Sequence, residues 1–122
     1  MFRNGKNLTL GFSDRVYYCP VELAMDIIGG KWKAVILWYL ANGTLRFHEI
    51  KKEITTISER VLTRELRQLE KHHLIHRRVY PEVPPRVEYN LTDFGKSIIP
   101  LLNHISRFGE DYAARFGKAE HL

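Results

Sequence analysis

Three leucines set the first constraint on this chain. Leu62, Leu66 and Leu69 fall four and then three residues apart within Ser58–Lys71, the spacing of one face of an α-helix. Such a stripe has to be buried against a neighbour, so the segment belongs to a packed domain. Arg60, Thr63, Arg64 and Arg67 follow the same period on a different face. Ser58 is placed to cap the helix, because its hydroxyl can accept a bond from an early backbone N–H. Glu59 falls in the first turn, where the helix dipole favours a negative charge. Taken alone, the stretch fits an ordinary surface helix, with Arg60 and Arg64 beside Glu59 and Glu65 as solvated charges. That ordinary reading leads for the helix alone; the other is a helix that enters the DNA major groove with its arginines forward. Its neighbours decide between the two.

Upstream, Leu45-Arg46-Phe47 reads as a short strand, and His48–Ile54 as a brief helix with Phe47, Ile50 and Ile54 at helical spacing. Thr55-Thr56-Ile57 then makes a tight link, and residues 47–71 form a helix-turn-helix whose turn lacks glycine. Downstream, His73 stands where glycine would ordinarily end the helix, and histidine is enriched among non-glycine residues in the left-handed conformation. Ile75–Tyr80 and Arg86–Leu91 alternate and are rich in β-branched and aromatic residues, so they read as two strands. The three prolines of Pro81-Glu82-Val83-Pro84-Pro85 cannot continue a ladder and form a stiff tip. A basic hairpin directly after a helix-turn-helix is a wing, spanning residues 75–91. Arg77, Arg78 and Arg86 are placed there to reach phosphates or the adjacent minor groove. Arg46, at the other end of the motif, and Ser58, at the start of the basic helix, join them as expected DNA contacts.

The remaining segments frame this core. Residues 1–16 read as an extended arm. Pro20 suits the first position of a helix carrying Val21, Leu23, Ala24, Ile27 and Ile28, and Gly29-Gly30 ends it. Lys31–Leu40 is a second helix with almost no polar face, so most of it should be buried, its tryptophans in the core. Thr92 caps a last helix over residues 93–117, with Pro100 inside it as an expected kink and Gly117 at its end. Its apolar stripe includes Ile98, Leu102, Ile105, Phe108, Tyr112 and Phe116. That is longer than one small domain needs. Ile105, Phe108 and Tyr112 are therefore expected to meet a second copy of the chain.

Charge supports the same division. Net charge is +5, and residues 31–91 hold all of the excess, with twelve Lys or Arg against seven acids. A basic middle between neutral ends is a localised polyanion-binding surface. The longest wholly apolar run, Ala34–Ala41, is far below the roughly 20 residues that span a bilayer. No apolar leader opens the chain, and a single cysteine excludes an internal disulfide, so a cytoplasmic protein is expected. His72 and His76 straddle the end of the basic helix and have no third ligand nearby, so neither metal nor other cofactor is expected. No phosphate loop, metal set or nucleophile elbow points to an enzyme. The expected architecture is one mainly α domain, residues 1–122, with a small β-hairpin wing: a dimeric winged helix-turn-helix.

Cys19-Pro20, Gly29-Gly30-Lys31-Trp32-Lys33, Leu45-Arg46-Phe47, Leu62-Thr63 with Leu66 and Leu69-Glu70, Val87-Glu88-Tyr89, and Leu91-Thr92 with Gly95 occur in one order and spacing. In this the chain resembles the HxlR-type winged helix-turn-helix regulators, relatives of the MarR group, over about Cys19 to Phe108. The resemblance implies a homodimer that binds a pseudo-palindromic double-stranded DNA operator, with helices from both ends of each subunit building the dimer. It also implies, for some members, sensing of a small-molecule electrophile or oxidant through the cysteine matching Cys19. The chain departs from the family at His73, where glycine is usual, and at Phe108, where many members have tryptophan. Two alternatives stay open at this level. The winged helix can be a protein-interaction or architectural module with weak, non-specific DNA binding, and Cys19 can be an unreactive residue at a helix start.

Overall fold

The computed structural model describes residues 8–10 and 13–118. Two short strands, β1 (Leu8–Leu10) and β2 (Ser13–Tyr17), pair antiparallel, so the expected extended arm is a hairpin over its described part. α1 (Pro20–Ile28) follows, with proline in its first turn. Gly29 then passes so close to the Met25 carbonyl that any Cβ would collide with it, and Gly30 takes the left-handed turn at φ +82°. α2 (Lys33–Leu40) buries Ile36, Leu37 and Leu40. Val35 and Trp38 stay over a third exposed, so this helix is less enclosed than its composition predicts. The difference arises because one side of α2 lines an apolar groove with Leu102 and Ile105.

The helix-turn-helix comes next. β3 (Leu45–Arg46) leads into α3 (Phe47–Glu53), and the Glu49 carboxylate accepts a bond from the Arg46 N–H at 2.8 Å. α4 (Glu59–Lys71) is capped by Ser58, whose Oγ accepts from the Val61 N–H at 3.1 Å. Its C-terminus closes as a Schellman motif: the Leu74 N–H donates to the Leu69 carbonyl and the His73 N–H to Glu70, both at 3.0 Å. His73 holds the left-handed position at φ +65°, as the sequence predicts. Leu69 and Leu74, the apolar pair that accompanies this motif, both lie in the core.

β4 (Ile75–Tyr80) and β5 (Arg86–Leu91) form the wing, paired from Ile75–Leu91 to Tyr80–Arg86, and β3 adds to β5 to give the sheet order β3-β5-β4. The last segment is two helices rather than one kinked helix. α5 (Asp93–Lys96) stops at Ser97, and α6 (Ile99–Phe116) starts afresh with Pro100 in its first turn. A proline there removes only an N–H that has no partner inside the helix, so it begins α6 instead of bending it. Thr92 ties this joint to the end of α4, accepting from the Gly95 N–H at 2.8 Å and donating to the His73 carbonyl at 2.7 Å. One core, drawn from the end of α1, α2, α3, α4, the sheet and the start of α6, holds the whole. Among the described residues, no helix is long and apolar enough to cross a membrane.

Candidate nucleic-acid interface

The buried stripe of α4 decides which way its arginines face. Leu62, Leu66 and Leu69 are at most 1% exposed. With that side fixed, Arg60, Thr63, Arg64 and Arg67 line one broad open groove of about 800 Å³, with Phe47 at its edge. The Thr63 hydroxyl donates to the Glu59 carbonyl one turn back along the helix, at 2.8 Å. Ser58 serves as the cap of the same helix.

Two further arginine sites flank this face. A cleft of about 280 Å³ between α4 and the wing brings Arg67 together with Arg77, over Tyr89 and Glu70. At the wing tip, Arg46 and His48 from the start of α3 face Pro84, Pro85 and Arg86 across another cleft. Arg78 lies exposed on β4, its guanidinium 4.8 Å from the Tyr80 ring centroid. Arg86 is held differently. It stacks 3.9 Å from the same ring, contacts Glu82 at 3.3 Å and Glu88 at 3.5 Å, and is mostly covered. Its charge is largely spent inside the hairpin.

Glu65 overturns an expectation. It is 7% exposed rather than a solvated surface charge. Its Oε2 lies 2.7 Å from Lys33 Nζ of α2, and its Oε1 lies 3.4 Å from Arg64 Nη2. The hint in the sequence is its position: three residues after Leu62 and four before Leu69, Glu65 shares the buried face.

A second exposed surface is apolar. On α6, Ile105, Phe108, Tyr112 and Phe116 are 44%, 70%, 59% and 72% exposed. The last three form a ladder, with ring centroids 6.4 and 5.0 Å apart. Val21 and Met25, four apart on α1, are more than half exposed as well. Cys19 is the partly exposed residue preceding α1. The backbone N–H groups of Glu22 and then Val21 pull its thiol below the usual range. The Arg15 guanidinium binds Asp26 at 2.8 Å and Glu22 at 2.7 Å, and Tyr17 Oη donates to Asp26 at 2.6 Å, which clasps β2 to α1. Near the junction with α4, His72 is pushed below an ordinary imidazole, first by burial and then by the Lys33 charge.

A capped helix with an arginine face, a two-residue strand before it and a basic hairpin behind it define a DNA-binding regulator of the winged helix-turn-helix class. Residues 27–116 match the family model of the HxlR-like helix-turn-helix, and the chain belongs to that family. It is 47% identical over 118 residues to YdeP, an HTH-type transcriptional regulator of Bacillus subtilis, covering 94% of this chain and 92% of that one. It is 54% identical over 101 residues to an HTH-type transcriptional regulator of Methanothermobacter thermautotrophicus, covering 83% and 77%. Among solved structures it is similar to the redox regulator HypR in its oxidised form, at 43% identity and a TM-score of 0.74, covering 76% of this chain and 96% of that one.

Proposed function

We propose that the chain works as a homodimer that recognises a pseudo-palindromic operator, with α4 reading bases and the wing holding phosphates. The observation that carries this reading is the shared groove of Arg60, Thr63, Arg64 and Arg67. Guanidinium groups on one exposed helix face suit bidentate contact with guanine, and the Thr63 methyl suits thymine. Arg77 and Arg78 reach the backbone beside them, Arg46 does so from the other side, and Arg86 stiffens the hairpin. One such motif reads only a few base pairs, so two half-sites about 34 Å apart are needed for useful specificity. The exposed ladder of α6, with Ile105 and the Val21–Met25 face of α1, supports the two-fold contact.

The test is binding to a duplex selected from random DNA, measured against unselected DNA over a range of salt. A regulator discriminates between them by about a thousandfold or more, with a steep salt slope for both. Equal affinity for the two would favour the architectural alternative. Sedimentation showing a monomer at micromolar concentration would remove the dimer from the reading.

Cys19 adds a redox-responsive element to the proposal. Its lowered thiol pKa and its place between the arm and α1 support this, and the similar protein HypR is a redox regulator. The thiolate attacks one sulfur of an oxidised small-thiol disulfide. A mixed disulfide forms at Cys19, and the other half leaves as a thiolate that takes up a proton. The added group crowds the α1 face and shifts the two recognition helices out of step with their half-sites. Operator binding by wild type and Cys19→Ser, before and after diamide with glutathione, tests it. Loss in wild type alone, with the adduct seen by mass spectrometry, is expected; equal responses would leave Cys19 a structural residue.

A further inference from the structure

We propose that Glu65, fixed by Lys33, is a positioning residue that aims Arg64 at DNA. The inference rests on α4 being the reading helix. Glu65 sits in the apolar stripe of α4, where a leucine would be the simpler choice. Burying a carboxylate there has a large desolvation cost unless it is paired. Lys33, the first residue of α2, provides the pair, and both side chains are nearly closed to solvent, at 11% and 9% exposed. The contact is an ion pair rather than an aligned hydrogen bond. An apolar pair of the same volume would hold α2 to α4 as well or better. What the ion pair adds is the second carboxylate oxygen, left at the edge of the core. Arg64 leans onto that oxygen at 3.4 Å while its side chain remains 60% exposed. Adjacent residues on a helix do not normally face one another. Arg64 therefore bends back toward Glu65 and gives up part of its rotamer freedom before any DNA arrives.

The arrangement has a clear division of labour. Lys33 sets where the Glu65 carboxylate lies, since its own side chain is nearly closed to solvent. The carboxylate sets the direction of the guanidinium. A long flexible side chain held in this way loses less entropy on meeting a base edge, which favours the geometry of the correct base over near misses. The ion pair thus acts on discrimination rather than on attraction to the phosphate backbone.

The experiment measures the affinity ratio between a duplex selected by the wild type and unselected DNA, for four proteins: wild type, Arg64→Ala, Lys33→Met with Glu65→Leu, and all three changes together. The paired substitution leaves no unmatched buried charge and does not alter net charge, so thermal unfolding and circular dichroism should show a folded domain. Arg64→Ala should lower the ratio by about tenfold in wild type. The paired substitution should lower it several-fold by itself, and adding Arg64→Ala should then cost little more, because the two act through one contact. An equal Arg64→Ala effect in both backgrounds, or a wild-type ratio in the paired variant, overturns the proposal. Should the paired variant fail to fold, Glu65→Gln keeps the shape and removes the charge; an unchanged ratio there overturns it equally. If the wild type selects no sequence, the reading of α4 falls and this proposal with it. A selected sequence without coupling removes the role of Glu65 alone.

Discussion

α4 and α6 are both amphipathic, and the domain treats them in opposite ways. The apolar side of α4 is closed by its own chain: Leu62, Leu66 and Leu69 vanish into the core, and both ends of the helix are capped. What remains outside is polar, with Arg60, Arg64 and Arg67 exposed among Glu59, Gln68, Glu70 and Lys71. α6 buries Leu102 near its start and then leaves Ile105, Phe108, Tyr112 and Phe116 in the open. Under the proposed function, the polar side of α4 would read DNA and the open apolar side of α6 would assemble the dimer.

The largest test of that separation attacks the α6 end. Phe108→Asp or Ile105→Asp should give monomers by sedimentation, with operator affinity reduced at least about a hundredfold through loss of the second half-site. The fold should survive, because these side chains lie outside the core, and circular dichroism checks this. A dimer that persists would break the comparison. The α4 end comes next. Alanine at Arg60, Arg64 or Arg67 should each cost about 1–3 kcal/mol of discrimination while leaving the dimer intact. Arg77→Ala and Arg78→Ala should weaken binding to all sequences alike and reduce the salt slope by about one each. Arg86→Ala should change the slope less, since its charge already faces Glu82 and Glu88.

Smaller effects sharpen the account of how α4 is finished. Ser58→Ala should cost about 1 kcal/mol in denaturant unfolding, the usual loss for a helix cap. His72 gives a pH signature at the other end. Its folded-state pKa lies below the ordinary 6.5, so the folded chain binds its proton less readily than the unfolded chain does. The stabilisation from neutral His72 is full above pH 6.5 and is lost as pH falls below that value toward the folded pKa. His72→Gln should flatten unfolding free energy against pH in that range. An unchanged slope would locate the acid sensitivity elsewhere.

The parts of this fold visible in the sequence are those set by local period. The two wing strands fall at Ile75–Tyr80 and Arg86–Leu91, where alternation and the proline tip put them. His73 takes the left-handed turn that closes α4, a conformation in which histidine is enriched among non-glycine residues. What escaped depends on partners far along the chain. Glu65 looks like a surface charge until α2 brings Lys33 to it. Arg15 pairs with Glu22 and Asp26 only once β2 lies against α1. The exposure of Val21 and Met25 follows from which side of α1 meets the core, and helical spacing alone does not choose a side.

Selection from random DNA, run in parallel with the wild type and with Arg60→Ala/Arg64→Ala/Arg67→Ala, tests the central claim most directly. The wild type should enrich two inverted half-sites with centres about 10 base pairs apart, and the triple variant should remain a folded dimer yet lose that enrichment. The same motif enriched by both proteins would mean that bases are read by some surface other than the arginine face of α4.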